Sequence, residues 1–451
     1  MIPIFKNGRK SDALNYRPVS LTSVCCKVME RVLYCHIVKH LDENGIISEK
    51  QFGFRKGRST EDQLLLTYGE IIRAVDAGEI VDVIYLDFSK AFDLVSHSVM
   101  LEKIAKLGFL LKVVDWIRSF LIGRCMKVSV HGKDSNGMDV KSGVPQGSVL
   151  GPLLFLIYIN SLTSGLRSSY YGFADDYKFY MARKKGIKVD CSMDLQEDLD
   201  RVSSVARSWN LKLNRKKCVV MRFGRGNLNV SNEVGSGYFL NGEELEIVAR
   251  HRDLGVIVDP TLKFHEHVES VVRRASALAN SLLRATVCRS ETFMVSLFVS
   301  HIRPLLDYCS CVWNMGYVVD SGMLESIQRR WTKQIAGMEN LSYLDRLKKL
   351  SLYSIRGRLL RTDLIKIWKV LSGYSSPQLL DLFDQQYHHA TRGHSMKLAV
   401  PRCRTDVRRR FLDVRVVQCW NSLDQHGVEL RNLEQFKTYL DRSIGDRFYI
   451  V

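Results

Sequence analysis

The sequence predicts an α+β fold, in which an antiparallel sheet is backed by helices and followed by a helical C-terminal region. Short aromatic and β-branched runs, which favour strands, lie at 80–86 and 170–180. Other segments carry apolar residues at the three- and four-residue spacing of amphipathic helices. These predicted helices lie at 23–41, 98–121, 195–209 and 263–284. A length of 451 residues allows two or more domains with a sizeable core.

Both predicted strand segments bring aspartates to the end of a strand. The run 80–86 is almost continuously apolar, which suits a strand buried on both faces, and it stops at Asp87. The segment 170–180 (YYGFADDYKFY) has a polar break between two aromatic runs, which predicts a hairpin with Asp175 and Asp176 at its turn. Taken separately, Asp87 fits a turn at the end of a strand, and Asp175 and Asp176 fit an exposed surface turn. Held together, they fit a two-metal site for phosphoryl displacement, because adjacent carboxylates repel unless a cation lies between them.

Further blocks surround these aspartates in a consistent order. Residues 87–93 (DFSKAFD), 143–152 (GVPQGSVLGP) and 173–176 (FADD) resemble the polymerase motifs of reverse transcriptases, in particular those of non-LTR, LINE-type retrotransposons of the jockey and CR1 kind. Flanking blocks resemble the fingers, palm and primer-grip motifs of the same group. They lie at 15–21, 51–60, 210–214 with 217–218, and 254–256.

The resemblance implies a right-hand polymerase fold with a reverse transcriptase domain at about 10–260. The expected parts are fingers at 1–80, a palm at 81–260, a helical thumb at 261–345 and a basic helical C-terminal region at 346–451. Within the palm, a Gly- and Asn-rich segment at 223–242 predicts a loop with hairpin ends.

Residues 2–8 resemble the first polymerase block of the family, almost at the start of the chain. Complete elements of this type carry an endonuclease domain upstream of that block. We therefore expect either a truncated copy or a gene model that begins late, with an endonuclease supplied elsewhere.

The resemblance also assigns residues to the chemistry. Asp87 and Asp175 would bind two Mg²⁺ ions, with Mn²⁺ as a substitute, and the carbonyl of Phe88 would complete the coordination. Asp176 is the second member of the aspartate pair, and its expected role is electrostatic support. Lys217 lies at the family position proposed to protonate or neutralise the leaving pyrophosphate.

Four further residues are expected to contact the incoming nucleotide. Phe92 lies where the family has an aromatic steric gate, whose ring would clash with a 2′-hydroxyl and select deoxynucleotides; a core aromatic is the alternative. Gln146 and Gly147 are expected in a tight turn where the backbone approaches the nucleotide and the template base. Arg55 is expected to meet the triphosphate, since a guanidinium matches phosphate oxygens.

The charge of the chain points to a polyanionic partner. With 66 Lys and Arg against 48 Asp and Glu, the formal net charge is +18, and nucleic acid is the usual partner of such a chain. Lys56 and Arg58 are expected to contact the template backbone. Arg408, Arg409 and Arg410 are expected to hold template RNA or target DNA by phosphate contacts, with a solvated helix face as the alternative.

The cysteines and the length of the apolar runs indicate the cellular compartment expected for the protein. The eleven cysteines lack the density and spacing of a secreted disulfide scaffold, which favours a reducing compartment. The longest apolar runs are too short to span a bilayer, so no membrane contact is expected. We therefore expect an intracellular protein, located in the nucleus, the cytoplasm or both as a ribonucleoprotein.

Three functional hypotheses follow. The leading one is an RNA-directed DNA polymerase that adds dNTPs to a primer 3′-hydroxyl on an RNA template. The second is a catalytically inactive nucleic-acid-binding remnant that keeps the fold. The missing nuclease favours it, as does Ser161, where the family has an acidic residue and a helix cap or salt bridge would be lost; intact Asp87, Asp175 and Asp176 argue against it. The third is an RNA-dependent RNA polymerase. Phe92 and Ala174 disfavour the third, since a gate against the 2′-hydroxyl does not suit ribonucleotides and that class has Gly before the aspartate pair.

Overall fold

A computed structural model of the protein describes residues 1–6, 8–184, 191–224, 237–383 and 394–449, without the side chains of residues 184, 191 and 192. The strands are, in chain order, β1 (Ile2–Phe5), β2 (Tyr16–Val19), β3 (Glu79–Leu86), β4 (Cys125–Met126), β5 (Ser129–Val130), β6 (Lys133–Asp134), β7 (Met138–Asp139), β8 (Ser169–Phe173), β9 (Asp176–Lys184), β10 (Val219–Phe223), β11 (Phe239–Leu240), β12 (Glu243–Glu244), β13 (Glu246–Ile247), β14 (His251–Asp253) and β15 (Val256–Val258).

The helices surround the strands and make up most of the C-terminal half. They are α1 (Val24–Glu43), α2 (Thr60–Asp76), α3 (His97–Ala105), α4 (Leu111–Leu121), α5 (Gly151–Ile159), α6 (Cys191–Ser208), α7 (His265–Ala285), α8 (Glu291–Leu297), α9 (Arg303–Asp307), α10 (Ser310–Trp313), α11 (Val318–Thr332), α12 (Tyr343–Lys349), α13 (Ile355–Leu371), α14 (Asp406–Arg410), α15 (Leu412–Arg415), α16 (Val417–Asn421), α17 (Gln425–Val428) and α18 (Leu433–Ser443). Among the described residues, no helix combines the length and the apolar character needed to cross a membrane.

A five-stranded sheet with the order β13-β10-β3-β9-β8 lies at the centre of the molecule. Strand β3 is antiparallel to both β9 and β10, and β8 is antiparallel to β9. Successive side chains of β3 point to opposite faces, so Val83 and Tyr85 enter one core while Ile84 and Leu86 enter the other. The predicted strand with two buried faces is confirmed, and so is the α+β class.

The two cores differ in extent. On one face of the sheet, α3, α4, α5 and α6 close a core of their own. On the other face, the core passes from α2 through α7 and α11 into α13 and the helices that follow it, and it includes the buried rings of Tyr68, Trp331, Trp368 and Trp420. The C-terminal region is therefore packed onto the sheet through continuous apolar contacts.

Local signals explain most of the helix boundaries. Helix α1 begins after Ser23, whose hydroxyl accepts a hydrogen bond from Cys26 N, in agreement with the predicted helix at 23–41. The predicted stretch 98–121 is two helices rather than one, because the chain adopts a left-handed conformation at Gly108 (φ +76°) between α3 and α4. The predicted loop at 223–242 lies mostly outside the described residues and stays a prediction.

Candidate active site

Three aspartates meet where β3 ends beside the β8–β9 hairpin. Asp87 directly follows the last residue of β3, Leu86, and Asp176 is the first residue of β9. Because β3 and β9 are antiparallel neighbours, their pairing places Asp87 next to Asp176. The hairpin turn consists of Ala174 and Asp175, and Ala174 has a left-handed backbone with φ of +56°. The structure thus brings together the three carboxylates that the sequence singled out.

Burial and mutual repulsion raise the pKa of the hairpin carboxyls. Asp175 is half-buried, and its pKa is raised first by burial and then by the charge of Asp87. The Asp176 side chain lies at the solvent edge, yet the surrounding protein removes enough water to raise its pKa to about 7, with further increases from Asp175 and Asp87. Lys178 lowers the pKa of Asp176 only in part. Both shifts show that negative charge is disfavoured in this site, so a cation bound there would be stabilised by the carboxylates.

Lys217 approaches Asp87 from the segment that precedes β10. Its Nζ lies 3.3 Å from Asp87 Oδ2. The backbone around it is fixed to the end of β3, since Asn214 N donates to Asp87 O at 2.8 Å and Phe88 pairs with Leu213 in an isolated bridge. The predicted leaving-group residue therefore lies within reach of the site, where its ammonium partly neutralises Asp87.

The donor set suits a hard divalent cation. Magnesium binds oxygen ligands, and in polymerase-type sites one or two carboxylates hold it together with substrate phosphates. Across the described ranges, no three His, Cys, Asp or Glu side chains converge closely enough to hold an ion by themselves. Asp87 and Asp175, with the carbonyl of Phe88, would therefore form an incomplete ligand set that substrate oxygens complete.

Phe92 lies between two other aromatic rings. Its ring stacks on the buried ring of Phe155, with centroids 4.1 Å apart and planes 18° apart. The ring of Phe54 meets it edge to face at 6.0 Å and is itself 50% exposed. Phe92 remains half-buried. One face of the ring is thus packed while the ring as a whole keeps partial exposure, so the gate role stays a prediction.

The turn that carries Gln146 and Gly147 packs against the N-terminal segment. Gln146 O accepts a hydrogen bond from Ser20 N at 2.6 Å, and its side chain donates to Asp93 Oδ1 at 2.7 Å. Gly147 has φ of +104°, and a Cβ there would lie 2.7 Å from Ser20 O. Glycine is therefore required here by a close contact within the protein, whatever the turn does for the nucleotide.

The basic residues of the fingers block are placed differently from one another. Arg55 donates to Glu49 Oε1 at 3.2 Å, and Arg58 pairs with the same carboxylate. The Arg58 side chain is only 7% exposed, lies over the ring of Phe52 and has its pKa lowered by burial. Arg58 would have to leave Glu49 to contact the template backbone, and that contact stays a prediction. Lys56 is exposed and available for that contact.

The three C-terminal arginines also separate. Arg408 is 5% exposed, and its guanidinium pairs with the buried carboxylate of Asp413, which also pairs with Arg73 of α2 at 3.2 Å. Arg408 thus neutralises the carboxylate through which Arg73 joins α2 to the C-terminal region, and its predicted contact with nucleic acid stays a prediction. Arg409 is well exposed and Arg410 partly so, and these two residues are the exposed part of the predicted basic surface.

Two buried polar side chains, to which the sequence assigned no role, hold the loops of the site. The amide of Gln51 bonds to both backbone groups of Ala174 in the hairpin turn. Glu30 accepts hydrogen bonds from Val149 N at 2.7 Å and Leu150 N at 2.9 Å, just before α5. Gln51 begins the block 51–60, which resembles a fingers motif of the family, and this position is the sequence signal that could have identified it. Glu30 lies in the middle of α1, and nothing in its sequence context marks it.

Ser161, where the family has an acidic residue, lies beside the half-buried side chain of Lys103. Lys103 Nζ donates to Ser161 Oγ at 3.2 Å and also to Tyr158 O. Burial lowers the pKa of Lys103 to about 7. An acidic side chain at position 161 would face the ammonium group of Lys103. Lys103 is therefore the partner of the salt bridge that the sequence suggests is lost with Ser161.

Comparison with known proteins places this site in a family. Residues 6–257 match the family described as reverse transcriptase (RNA-dependent DNA polymerase). The chain is 29% identical over 346 residues to the probable RNA-directed DNA polymerase from transposon X-element of Drosophila melanogaster, a match that covers 74% of this chain and 37% of that protein. It is 30% identical over 354 residues to the RNA-directed DNA polymerase from mobile element jockey of Drosophila funebris, covering 75% and 37%. The chain thus spans a little over a third of the length of these relatives.

A solved structure of apo telomerase from Candida tropicalis is 11% identical and covers 71% of this chain and 54% of that one. Its TM-score of 0.41 is too low to support a structural argument. The family match, in contrast, covers more than half of the chain and includes Asp87, Asp175, Asp176 and Lys217. Reverse transcriptases act on RNA templates and use divalent metals as a family. The resemblance seen in the sequence is confirmed: this chain belongs to the reverse transcriptase (RNA-dependent DNA polymerase) family.

Proposed function

We propose that this chain is an RNA-directed DNA polymerase of a retrotransposon, which adds deoxynucleotides to the 3′-hydroxyl of a primer on an RNA template. The observation that carries the proposal is the position of Asp87 beside the Asp175–Asp176 hairpin, where burial and repulsion raise the pKa of both hairpin carboxyls. Membership of the reverse transcriptase family and the names of its relatives support the same activity.

The proposed cofactor is a pair of Mg²⁺ ions, for which Mn²⁺ can substitute. When bound, such ions lower the pKa of the attacking hydroxyl and neutralise charge on the leaving pyrophosphate. Asp87 and Asp175 would provide carboxylate oxygens and Phe88 its carbonyl oxygen. Asp176 would add negative charge at the edge of the site, which strengthens the attraction for cations.

Lys217 would serve the leaving group. Its ammonium lies 3.3 Å from Asp87 Oδ2, so it stays close to the site while the substrate is absent. A bound triphosphate offers stronger negative charge than one carboxylate, and we propose that Lys217 then turns to the phosphate oxygens and donates a proton to the pyrophosphate.

The remaining substrate contacts are proposed from their positions around the aspartates. Phe92 would exclude a 2′-hydroxyl, with its ring fixed by Phe155. Gln146 and Gly147 would line the nucleotide and template base from their turn. Arg55 would leave Glu49 for the triphosphate, since the guanidinium pairs better with a multiply charged phosphate.

Nucleic acid would extend beyond the catalytic cleft. We propose that Lys56 contacts the template backbone and that Arg409 and Arg410 contact template RNA or target DNA. The fingers, palm, thumb and C-terminal region would follow the boundaries given above. We propose that the protein works as a ribonucleoprotein in the nucleus, the cytoplasm or both.

Primer extension tests the proposal. Purified protein receives an RNA template with an annealed primer, and incorporation is compared between dNTPs and NTPs with and without Mg²⁺. We expect Mg²⁺-dependent dNTP incorporation that Asp175→Asn reduces by at least a hundredfold. Asp115→Asn, on the exposed surface of α4, is the matched control and should leave incorporation unchanged.

Each other result supports a different hypothesis. Equal incorporation by Asp175→Asn would refute the assigned site. Incorporation of NTPs in preference to dNTPs would identify an RNA polymerase. Tight RNA binding without any incorporation, by a protein with a cooperative unfolding transition, would identify a nucleic-acid-binding remnant.

A further inference from the structure

We propose that Gln51, in the fingers block, is a positioning residue that fixes the metal-binding turn of the site and touches neither metal nor substrate. The proposal rests on the proposed function, because it takes Asp175 as a metal ligand. It extends that function to a residue about 35 positions before Asp87 in the chain, whose side chain reaches the hairpin only in the folded protein.

Every hydrogen-bonding position of the Gln51 amide is occupied. Oε1 accepts from Ala174 N and from Gly53 N, each at 2.8 Å. Nε2 donates to Ala174 O at 3.2 Å and to Tyr177 OH at 3.0 Å. A glutamine amide offers two donors and two acceptor lone pairs, so no capacity is left for another partner. Three of the four bonds hold the hairpin that carries Asp175 and Asp176.

The backbone around Gln51 is fitted to the same hairpin. Phe52 N donates to Gly172 O at 2.8 Å, and Gly172 N donates to Lys50 O at 2.9 Å, so the segment runs alongside β8. A Cβ on Gly53 would lie 2.3 Å from Ala174 N. Gly53 therefore lets the segment approach the turn closely enough for the Gln51 amide to bond to it.

The turn needs such support for two reasons. Ala174 has φ of +56°, a left-handed conformation that is strained for a residue with a Cβ. The carboxylates of Asp175, Asp176 and Asp87 also repel one another. Both effects favour a more open turn. Gln51 is 4% exposed, so water cannot replace its bonds to the backbone of the turn.

Gln51→Met tests the proposal, since it keeps the length of the side chain and removes all four bonds. The first measurement is the Mn²⁺ affinity of the 451-residue chain without substrate, by electron paramagnetic resonance. We expect binding weaker by about 10- to 100-fold, the usual effect of removing a group that orients a metal ligand. The second is hydrogen exchange of residues 170–177, where the Ala174 amide should lose protection.

Gln328→Met is the matched control. Gln328 is 1% exposed, and its amide donates to Tyr343 OH at 3.2 Å and Tyr353 O at 2.8 Å, among the thumb and C-terminal helices. Its replacement should lower stability to a comparable extent while leaving Mn²⁺ affinity and exchange at 170–177 unchanged. If Gln51→Met does not fold, Gly53→Ala serves instead, because the added methyl displaces the turn without removing a buried polar group.

The outcomes separate this proposal from the proposed function. Unchanged Mn²⁺ affinity and unchanged exchange at 170–177 in Gln51→Met would overturn the positioning role, whether or not the wild type polymerises. With an active wild type, the variant should lose kcat while its affinity for primer and template stays the same. A wild type that binds Mn²⁺ but does not extend primers would refute only the proposed function.

Discussion

Replacing Arg408 with methionine distinguishes a structural role of this residue from a nucleic-acid-binding one. Methionine retains the apolar stem but removes the charge. The Arg408 side chain is 6% exposed and the Asp413 side chain 1%, so the pair is almost fully removed from water. A carboxylate left without its partner in such a place keeps its desolvation cost and loses the attraction that offset it.

The expected loss of stability can be worked from these contacts. Breaking a buried ion pair by removing one partner costs about 3–5 kcal/mol. Asp413 keeps Arg73 at 3.2 Å, on a side chain that is 37% exposed, so the lower end of about 3 kcal/mol applies. An unfolding entropy of about 2 cal/mol/K per residue gives roughly 1 kcal/mol/K for the whole chain. The midpoint of thermal unfolding should therefore fall by about 3 °C.

Two measurements on the 451-residue chain test this expectation: scanning calorimetry, and the affinity for a fluorescent RNA across a range of salt concentrations. Arg409→Met is the matched control, since that side chain is 63% exposed. It should leave the midpoint unchanged, weaken RNA binding and lower the salt slope by about one. An Arg408→Met protein with an unchanged midpoint and weakened RNA binding would refute the reasoning.

Three further substitutions have defined outcomes. In the folded protein the pKa of Asp176 is raised to about 7 from its ordinary 3.8, so the folded state holds this proton more tightly than the unfolded state. The contribution of this proton to the free energy of unfolding is therefore fully present below pH 4 and is lost as the pH rises through 7. Asp176→Asn should therefore stabilise the metal-free protein at pH 8 and not at pH 4; equal urea midpoint shifts at both would contradict this. The pKa of Lys103 is lowered to about 7 from its ordinary 10.5, so the unfolded state binds this proton more tightly than the folded state. The free energy of unfolding should therefore rise between pH 7 and 10. Ser161→Asp should flatten that rise and add about 1 kcal/mol at pH 7 in urea titrations; an unaltered pH profile would exclude the ion pair. Phe92→Ala should reduce the preference for dNTPs over NTPs by an order of magnitude or more in steady-state kinetics; unchanged preference would make the ring a core aromatic.

Features that one contiguous stretch of sequence encodes could be predicted, whereas side-chain orientations that tertiary packing decides could not. Asp87 could be placed at the end of a buried strand, because the continuous apolar run before it is a contiguous signal. The orientation of Arg58 and Arg408 could not be predicted, although both lie in basic runs that look exposed. Glu49 pairs with Arg58, and Asp413 with Arg408, in surroundings formed by tertiary packing. Whether a guanidinium points outward is decided by that packing.

Residues of the N-terminal part, outside the central sheet, hydrogen-bond to the loops of the site. Gln51 bonds to the hairpin turn, Glu30 to the backbone before α5, and Ser20 to the carbonyl of Gln146. Each contact joins a residue of the N-terminal part to a loop that is expected to contact the metal or the substrate. Substitutions in this N-terminal part should therefore change catalysis through the placement of loops, and the block 51–60 should be read as part of the catalytic structure as well as a surface for substrate.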